Sequence, residues 1–227
     1  MTGTRAQPID EADPRVGGRR CWTCFKPRVL CVCARVPRVE NRTEITILQH
    51  PRERFHAIGT ARIAELGLSR GRILRPHSPV ERSLAVSFAP PPRTGLLFPH
   101  RRALDLAELD PAARPRGLIG LDGTWGQASK LYRANAWLAA LPHYSLSPSE
   151  PSRYRIRREP RPNFISTIEA VVAALRILEP ETEGFDALLA SFDEMIDAQV
   201  VYAHRAPRRP ERKIRRRARG LLDPGDT

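Results

Sequence analysis

The chain has 227 residues, a formal charge of +13 and a pI near 10.8, which allow one fairly large domain or one domain with a small appendage. No window approaches the roughly 18 uninterrupted apolar residues of a membrane span, and the polar N-terminus lacks an apolar signal segment, so we expect a cytoplasmic protein without membrane partners. The charge favours a polyanionic partner such as nucleic acid, although nearly all of it is arginine, and a genome-wide arginine bias would give the same composition.

Residues 1–20 are polar and without periodicity, which predicts a mobile leader. All four cysteines follow within residues 21–42, in the spacing C-x2-C-x6-C-x-C: Cys21, Cys24, Cys31 and Cys33. Two close pairs of thiolates at this spacing can fill a tetrahedral shell around Zn²⁺, and a shell filled by protein predicts a structural metal. Two disulfides or four unrelated thiols are the alternatives, and disulfides fit poorly with a chain that lacks a secretory signal.

Residues 43–204 alternate between strand-like and helix-like patterns. The predicted strands are TEITILQH (43–50), GRIL (71–74), LAVSF (84–88), GLLFP (95–99), GLIGL (117–121) and HYSLS (143–147). The predicted helices cover residues 57–68, 127–141, 166–180 and 184–204, each with apolar side chains at helical spacing. This alternation predicts an α/β domain with a mostly parallel sheet and helices on both faces. Nine basic residues against one acidic between 205 and 220 predict a disordered basic tail over residues 205–227.

Three predicted strands end in unusual residues, at LLFPH (96–100), LDGTW (121–125) and the SLSPSEPSRY region from 145. Ligand sites of open α/β sheets lie beyond the carboxyl ends of the strands, so these loops would form one pocket if the strands are neighbours. The DGTWGQ segment also has a purely structural interpretation, in which Asp-Gly makes a turn and Thr124 with Gln127 caps the next helix. Capping likewise accounts for Ser166 and Thr167.

Two further segments carry functional side chains. QHPRERFH (49–56) offers His50, His56 and Glu53, which can assist a reaction or simply brace a loop, and their spacing does not match a second metal site. Around Tyr154, arginines occur at 153, 155, 157, 158 and 161. Guanidiniums beside an aromatic ring suit phosphates and unpaired bases, and a solvated charged face is the alternative.

Six ordered blocks now identify a resemblance: the cysteine spacing, then LQHPRE, LLFP, LDGTW, SRYRIR and STIEA. In this order they resemble the DTW-domain family of tRNA-uridine aminocarboxypropyltransferases, over about residues 20–200. The resemblance implies a fold related to the SPOUT RNA-modifying enzymes, with S-adenosylmethionine bound near a C-terminal knot in the sheet. The implied reaction moves the 3-amino-3-carboxypropyl group of S-adenosylmethionine to N3 of a tRNA uridine and releases 5′-methylthioadenosine.

With that reaction in view, Asp122 is the expected general base or N3-orienting acceptor, because N3 must lose an imide proton. We expect the cofactor to contact Leu97, Phe98, Pro99, Leu121, Gly123, Thr124, Trp125, Leu146, Ser147, Ser166 and Thr167. We expect tRNA to contact Lys130, Arg153, Tyr154, Arg155, Arg157 and Arg158. The alternatives are an RNA methyltransferase on the same scaffold and a non-catalytic zinc-containing RNA-binding protein. A monomer is slightly favoured.

Overall fold

The computed structural model describes residues 20–76, 88–147, 151–156 and 165–205. Within these ranges the strands are β1 (Glu44–Gln49), β2 (Gly71–Leu74), β3 (Thr94–Leu97), β4 (Leu104–Asp105), β5 (Gly117–Asp122) and β6 (His143–Ser145). The helices are α1 (Ala61–Gly67), α2 (Trp125–Ala134), α3 (Thr167–Leu178) and α4 (Phe185–Arg205).

The six strands form one sheet in the order β2-β1-β5-β3-β6-β4, and every pair in it is parallel. The predicted parallel sheet is therefore confirmed. The two-residue strand β4 was not predicted, because a segment this short shows no periodicity. Since all strands run the same way, their carboxyl ends meet along one edge of the sheet.

Helices cover both faces of the sheet, as predicted. Helices α1, α3 and α4 share one core cluster with Ile45, Ile47 and Leu118. The opposite cluster joins Leu131 of α2 and Leu138 to Leu48, Leu96 and Ile119. Adjacent residues of a strand point to opposite faces, which accounts for the separation of neighbours such as Leu118 and Ile119 into different clusters. Cys21, Cys24 and Val32 belong to the first cluster, so the cysteine segment packs directly on the α/β core.

The prediction of one helix over residues 127–141 is wrong in two respects. The helix begins two residues earlier, at Trp125, because Thr124 occupies the capping position. It ends at Ala134 because the buried Asn135 leaves the helical conformation and donates its side-chain amide to the carbonyl of Leu131 at 2.8 Å. A short 3₁₀ helix over Ala136–Ala140 follows. The predicted helix over 57–68 likewise begins only at Ala61, because His56–Gly59 forms a turn.

Several predictions fall on residues outside the described ranges: the leader up to residue 19, most of LAVSF, Arg157 and Arg158, and the tail from residue 206. The C-terminal knot stays a prediction. No helix in the described ranges combines the length and the apolar character that crossing a bilayer would require.

Candidate functional site

A cavity of about 720 Å³ opens at the carboxyl edge of the sheet. It lies where the neighbouring strands β5, β3 and β6 end, beside the first turn of α3, so the three predicted strand-end loops do form one pocket. This volume is in the range of small-molecule sites. The predicted cofactor contacts all line it, together with Asp122: Leu97, Phe98, Pro99, Leu121, Gly123, Thr124, Trp125, Leu146, Ser147, Ser166 and Thr167.

Asp122 is the last residue of β5 and is buried, with its carboxylate held by hydrogen bonds on both oxygens. The Thr167 hydroxyl donates to Oδ1 at 2.6 Å, and the Gln49 amide donates to Oδ2 at 2.9 Å. Hydrogen bonds to a carboxylate favour its ionised form and fix its orientation. Thr167 thus does more than begin a helix, because it links α3 to the end of β5.

Gln49 is a site residue that the sequence prediction missed. It is the last residue of β1 and lies opposite Asp122 in the parallel register. Its amide oxygen accepts a hydrogen bond from Nε of Arg75 at 2.6 Å, which leaves the amide nitrogen to face Asp122. Only the pairing of β1 with β5 brings these groups together, and the sequence does not reveal that pairing.

The start of α2 holds Trp125 at the cavity. Both bonds of the predicted capping box are present: the Thr124 amide donates to the Gln127 side-chain oxygen at 2.6 Å, and the Gln127 amide donates to the Thr124 hydroxyl at 3.4 Å. Gly123 has a φ of +156°, and a Cβ there would lie 2.9 Å from Cβ of Gln127. The turn therefore requires glycine. The structural interpretation of DGTWGQ is correct, and the same cap places Asp122 and Trp125 at one cavity.

The start of α3 offers an unusual hydroxyl. Glu169 accepts a hydrogen bond from the Ser166 amide at 2.7 Å, and it also accepts from the Arg153 amide at 2.6 Å and the Ser152 hydroxyl at 2.8 Å. Ser166 and Glu169 form the predicted capping box, but Oγ of Ser166, buried at the cavity wall, makes no hydrogen bond of normal geometry within the described ranges. Buried polar atoms are rarely left without a partner, so this hydroxyl is suited to a polar ligand group.

The segment from residue 51 to 60, here called the rim loop, forms another part of the cavity wall. Glu53 and His56 line the cavity. His50, by contrast, does not line it: its Nδ1 accepts from the Arg52 amide at 3.3 Å, and its own amide donates to the Asp122 carbonyl at 2.9 Å. His50 therefore braces the loop next to Asp122.

The predicted RNA contacts divide into three groups. Lys130 is exposed on α2. Arg153 and Arg155 are exposed but form ion pairs with Asp193 and Asp197 of α4, at 3.1 Å and 2.6 Å. Tyr154 was expected at an RNA surface, and instead only 4% of it is exposed. Its hydroxyl donates to the Ile58 carbonyl at 2.6 Å, so the ring anchors the basic segment on the core beside the cavity.

The four cysteines come together as predicted, with all four sulfurs within 4.8 Å of one another. The sulfurs of Cys21 and Cys33 lie 3.8 Å apart, and those of Cys24 and Cys31 lie 3.7 Å apart. A Zn–S bond of about 2.3 Å places tetrahedral sulfurs about 3.8 Å apart, so the donor set fits zinc. None of the four forms a disulfide. Hydrogen bonding from Cys33 lowers the pKa of Cys24 to about 4, whereas burial raises the pKa of Cys31 to about 11.

Lys26 connects the cysteine segment to the rim loop. Its side chain is only 1% exposed, and its ammonium donates to the carbonyls of Ala57 at 2.8 Å and Gly59 at 2.9 Å. Burial lowers the pKa of Lys26 to about 8, and the nearby thiols partly oppose that shift. The cysteine segment therefore supports one wall of the cavity although none of its residues lines it.

Comparison with known proteins gives a consistent result. The family model of the DTW domain matches residues 18–200. A Drosophila melanogaster protein named tRNA-uridine aminocarboxypropyltransferase 2 is 33% identical over 184 residues, which cover 76% of this chain and 71% of that protein. The Mus musculus protein of the same name is 29% identical over 201 residues, covering 85% of this chain and 66% of the mouse protein. The Arabidopsis thaliana tRNA-uridine aminocarboxypropyltransferase A is 27% identical over 90% of this chain and 89% of its own length. No solved structure matches the chain.

The matched range contains the cysteine segment, all six strands and the whole cavity, with LDGTW at its centre. On these grounds the chain belongs to the DTW-domain family.

Proposed function

We propose that the cavity binds S-adenosylmethionine and that the protein transfers its 3-amino-3-carboxypropyl group to N3 of a uridine in tRNA, with release of 5′-methylthioadenosine. The names of the relatives support this activity. The observation that carries it is the position of Asp122: a buried, oriented carboxylate from the LDGTW block at the wall of a cavity of suitable volume.

In the proposed reaction a bond forms between uridine N3 and the γ-carbon of the methionine part, and the bond between that carbon and the sulfonium breaks. The N3 proton must leave. The Asp122 carboxylate lies at the cavity wall in an orientation fixed by Thr167 and Gln49, which places it to accept from the N3 imide. Asp122 then orients N3 and receives its proton as the new bond forms.

The start of α3 is the proposed site for the methionine part of the cofactor. The positive end of the helix dipole favours a carboxylate, although the amides of Ser166 and Ile168 already donate to Glu169 and Thr60. The hydroxyl of Ser166 supplies a polar group at the cavity wall. The apolar side chains of Leu97, Phe98 and Leu121 line the same cavity and suit the adenosine part. Bound S-adenosylmethionine supplies the sulfonium that activates its neighbouring carbons. The methyl carbon and the γ-carbon are bonded to the same sulfur and are both activated. The carbon that is positioned against uridine N3 is therefore the one that reacts.

The proposal also includes the structural zinc ion on the four cysteines and a SPOUT-type knot. The sulfur distances support the first. The second rests on the resemblance of the six sequence blocks, since strand order alone does not distinguish a knotted sheet from an unknotted one.

The test is incubation of the purified protein with unmodified tRNA and S-adenosylmethionine, followed by mass spectrometry of the nucleosides. We expect a uridine carrying the aminocarboxypropyl group, together with 5′-methylthioadenosine. A methylated uridine would instead identify an RNA methyltransferase. No product, combined with no binding of S-adenosylmethionine in calorimetry, would leave a non-catalytic zinc-containing RNA-binding protein.

A further inference from the structure

A row of aromatic rings leads from the cavity to the protein surface on the side of β3 and α2. It begins with Phe98 and Trp125, which line the cavity and whose ring centroids are 6.2 Å apart. Phe98 stacks on Tyr132 at 5.3 Å, and the ring of Tyr132 lies 6.3 Å from that of His100. His143 contacts two members of the row. Its Nε2 forms a hydrogen bond with the Tyr132 hydroxyl at 3.0 Å, and its ring lies 4.7 Å from that of His100.

Four exposed cations neighbour this row along the chain: Arg101 and Arg102 directly follow His100, and Lys130 and Arg133 lie on the same helix as Tyr132. Within the described ranges, none of the four forms an ion pair. Desolvation lowers the pKa of His100, and coulombic interactions with His143, Arg101 and Arg102 lower it further. Because Arg101 and Arg102 are exposed and form no ion pair within the described ranges, the outer end of the row carries positive charge.

On the other side of the cavity, the described arginines are neutralised by acidic partners. There Arg153 and Arg155 pair with Asp193 and Asp197 of α4. An arginine that is paired within the protein has few counterions to exchange with a phosphate, and its acidic partner repels the phosphate. Sequence spacing alone favoured this side for RNA, but the pairing with α4 reduces the attraction of Arg153 and Arg155 for phosphates.

We infer that tRNA reaches the cavity across the face formed by the end of β3 and helix α2, with a nucleotide beside the target uridine stacked on His100. The inference rests on the proposed function. Base stacking on aromatic side chains recognises unpaired nucleotides, and the four flanking cations would contact the phosphates on both sides. The target uridine would then enter past Trp125, which is 38% exposed, and meet Asp122 at the cavity wall.

The test compares the two sides in the full-length protein. Affinity for an unmodified tRNA transcript is measured at several salt concentrations for the double variants Lys130→Ala/Arg133→Ala and Arg153→Ala/Arg155→Ala. We expect the first to lower the slope of log affinity against log salt by about 1.4–1.8, since each of the two phosphate contacts contributes roughly 0.7 to 0.9. The second should change the slope by much less. An equal or larger change in the second variant would overturn the inference.

His100 is tested by its own pair of variants. His100→Ala should weaken tRNA binding at least about fivefold, the lower end of the effect of losing one stacked base, while His100→Phe should retain the affinity because it keeps an aromatic face. If both variants bind like the original protein, no base stacks on His100. Calorimetry with S-adenosylmethionine checks that the cavity is intact in every variant.

The outcome is separable from that of the proposed function. Aminocarboxypropyl transfer with unchanged tRNA binding by the β3–α2 variants would overturn the docking surface alone. Binding of tRNA that depends on the β3–α2 face, without aminocarboxypropyl transfer, would overturn the reaction alone.

Discussion

Replacing Asp122 by asparagine removes the negative charge from the cavity with almost no change in shape. The new amide can be accommodated in one orientation. Its oxygen accepts from Gln49, whose own direction is fixed by Arg75, and its nitrogen faces Thr167, whose hydroxyl can turn round and accept. Both hydrogen bonds then persist, but neither involves a charge.

The cost in stability should therefore be moderate. A hydrogen bond to a charged group contributes about 1.5–3 kcal/mol and a neutral one about 0.5–1.5 kcal/mol, so with two such bonds the free energy of unfolding should fall by about 2–3 kcal/mol. For a chain of this size that corresponds to a decrease in Tm of roughly 4–12 °C. Catalysis should suffer far more, since a group that accepts a proton in the transition state contributes about 10²–10⁴-fold.

The assay measures single-turnover transfer to tRNA, with a thermal melt of the same preparation. Asp110→Asn is the control, since it makes the same chemical change at an exposed turn where Asp110 accepts from the Ala112 amide. We expect that control to keep its transfer rate. If Asp122→Asn retains half or more of the original rate, Asp122 neither takes the N3 proton nor orients the base.

Three further predictions concern the structure around the site. Gly123→Ala should lower Tm, because backbone strain of about 1–3 kcal/mol and contact with Gln127 disturb the start of α2. The same disturbance should weaken the binding of S-adenosylmethionine measured by calorimetry. An unchanged Tm would contradict this prediction. Lys26→Met should raise KM for S-adenosylmethionine more than it lowers kcat, because two carbonyls of the rim loop lose their hydrogen-bond donor. Each lost bond should destabilise the loop by about 1–3 kcal/mol. An unchanged KM would show that the rim loop does not depend on Lys26. Metal analysis should find about one zinc ion per chain of the original protein. The Cys24→Ala variant should contain no zinc and should have a lower Tm. A structural zinc would be ruled out if the original protein contained no metal and had the same Tm as the variant.

The strands and the location of the cavity were predictable because their causes are local. Runs such as TEITILQ combine β-branched and apolar residues that fit a buried strand, and a parallel sheet gathers its carboxyl ends along one edge. The capping box of Thr124 and Gln127 is also local, and both of its bonds are present. The tetrahedral cysteine cluster follows from spacing within 13 residues of chain.

What the sequence did not reveal depends on contacts between distant segments. The position of Gln49 beside Asp122 requires β1 to pair with β5 across an intervening stretch that contains three other strands. The ion pairs of Arg153 and Arg155 depend on where α4 lies, and a run of arginines in sequence does not indicate the acids that it will face. Asn135 ends α2 through a side-chain hydrogen bond that helical periodicity does not register.

The most direct test of the central proposal follows the two parts of S-adenosylmethionine separately. The protein is given unmodified tRNA and cofactor labelled either in the methionine carboxyl group or in the methyl group. Aminocarboxypropyl transfer predicts that the carboxyl label enters a tRNA uridine and that the methyl label leaves in 5′-methylthioadenosine. Methyl label in the tRNA, with the carboxyl label left in S-adenosylhomocysteine, would contradict the proposed reaction.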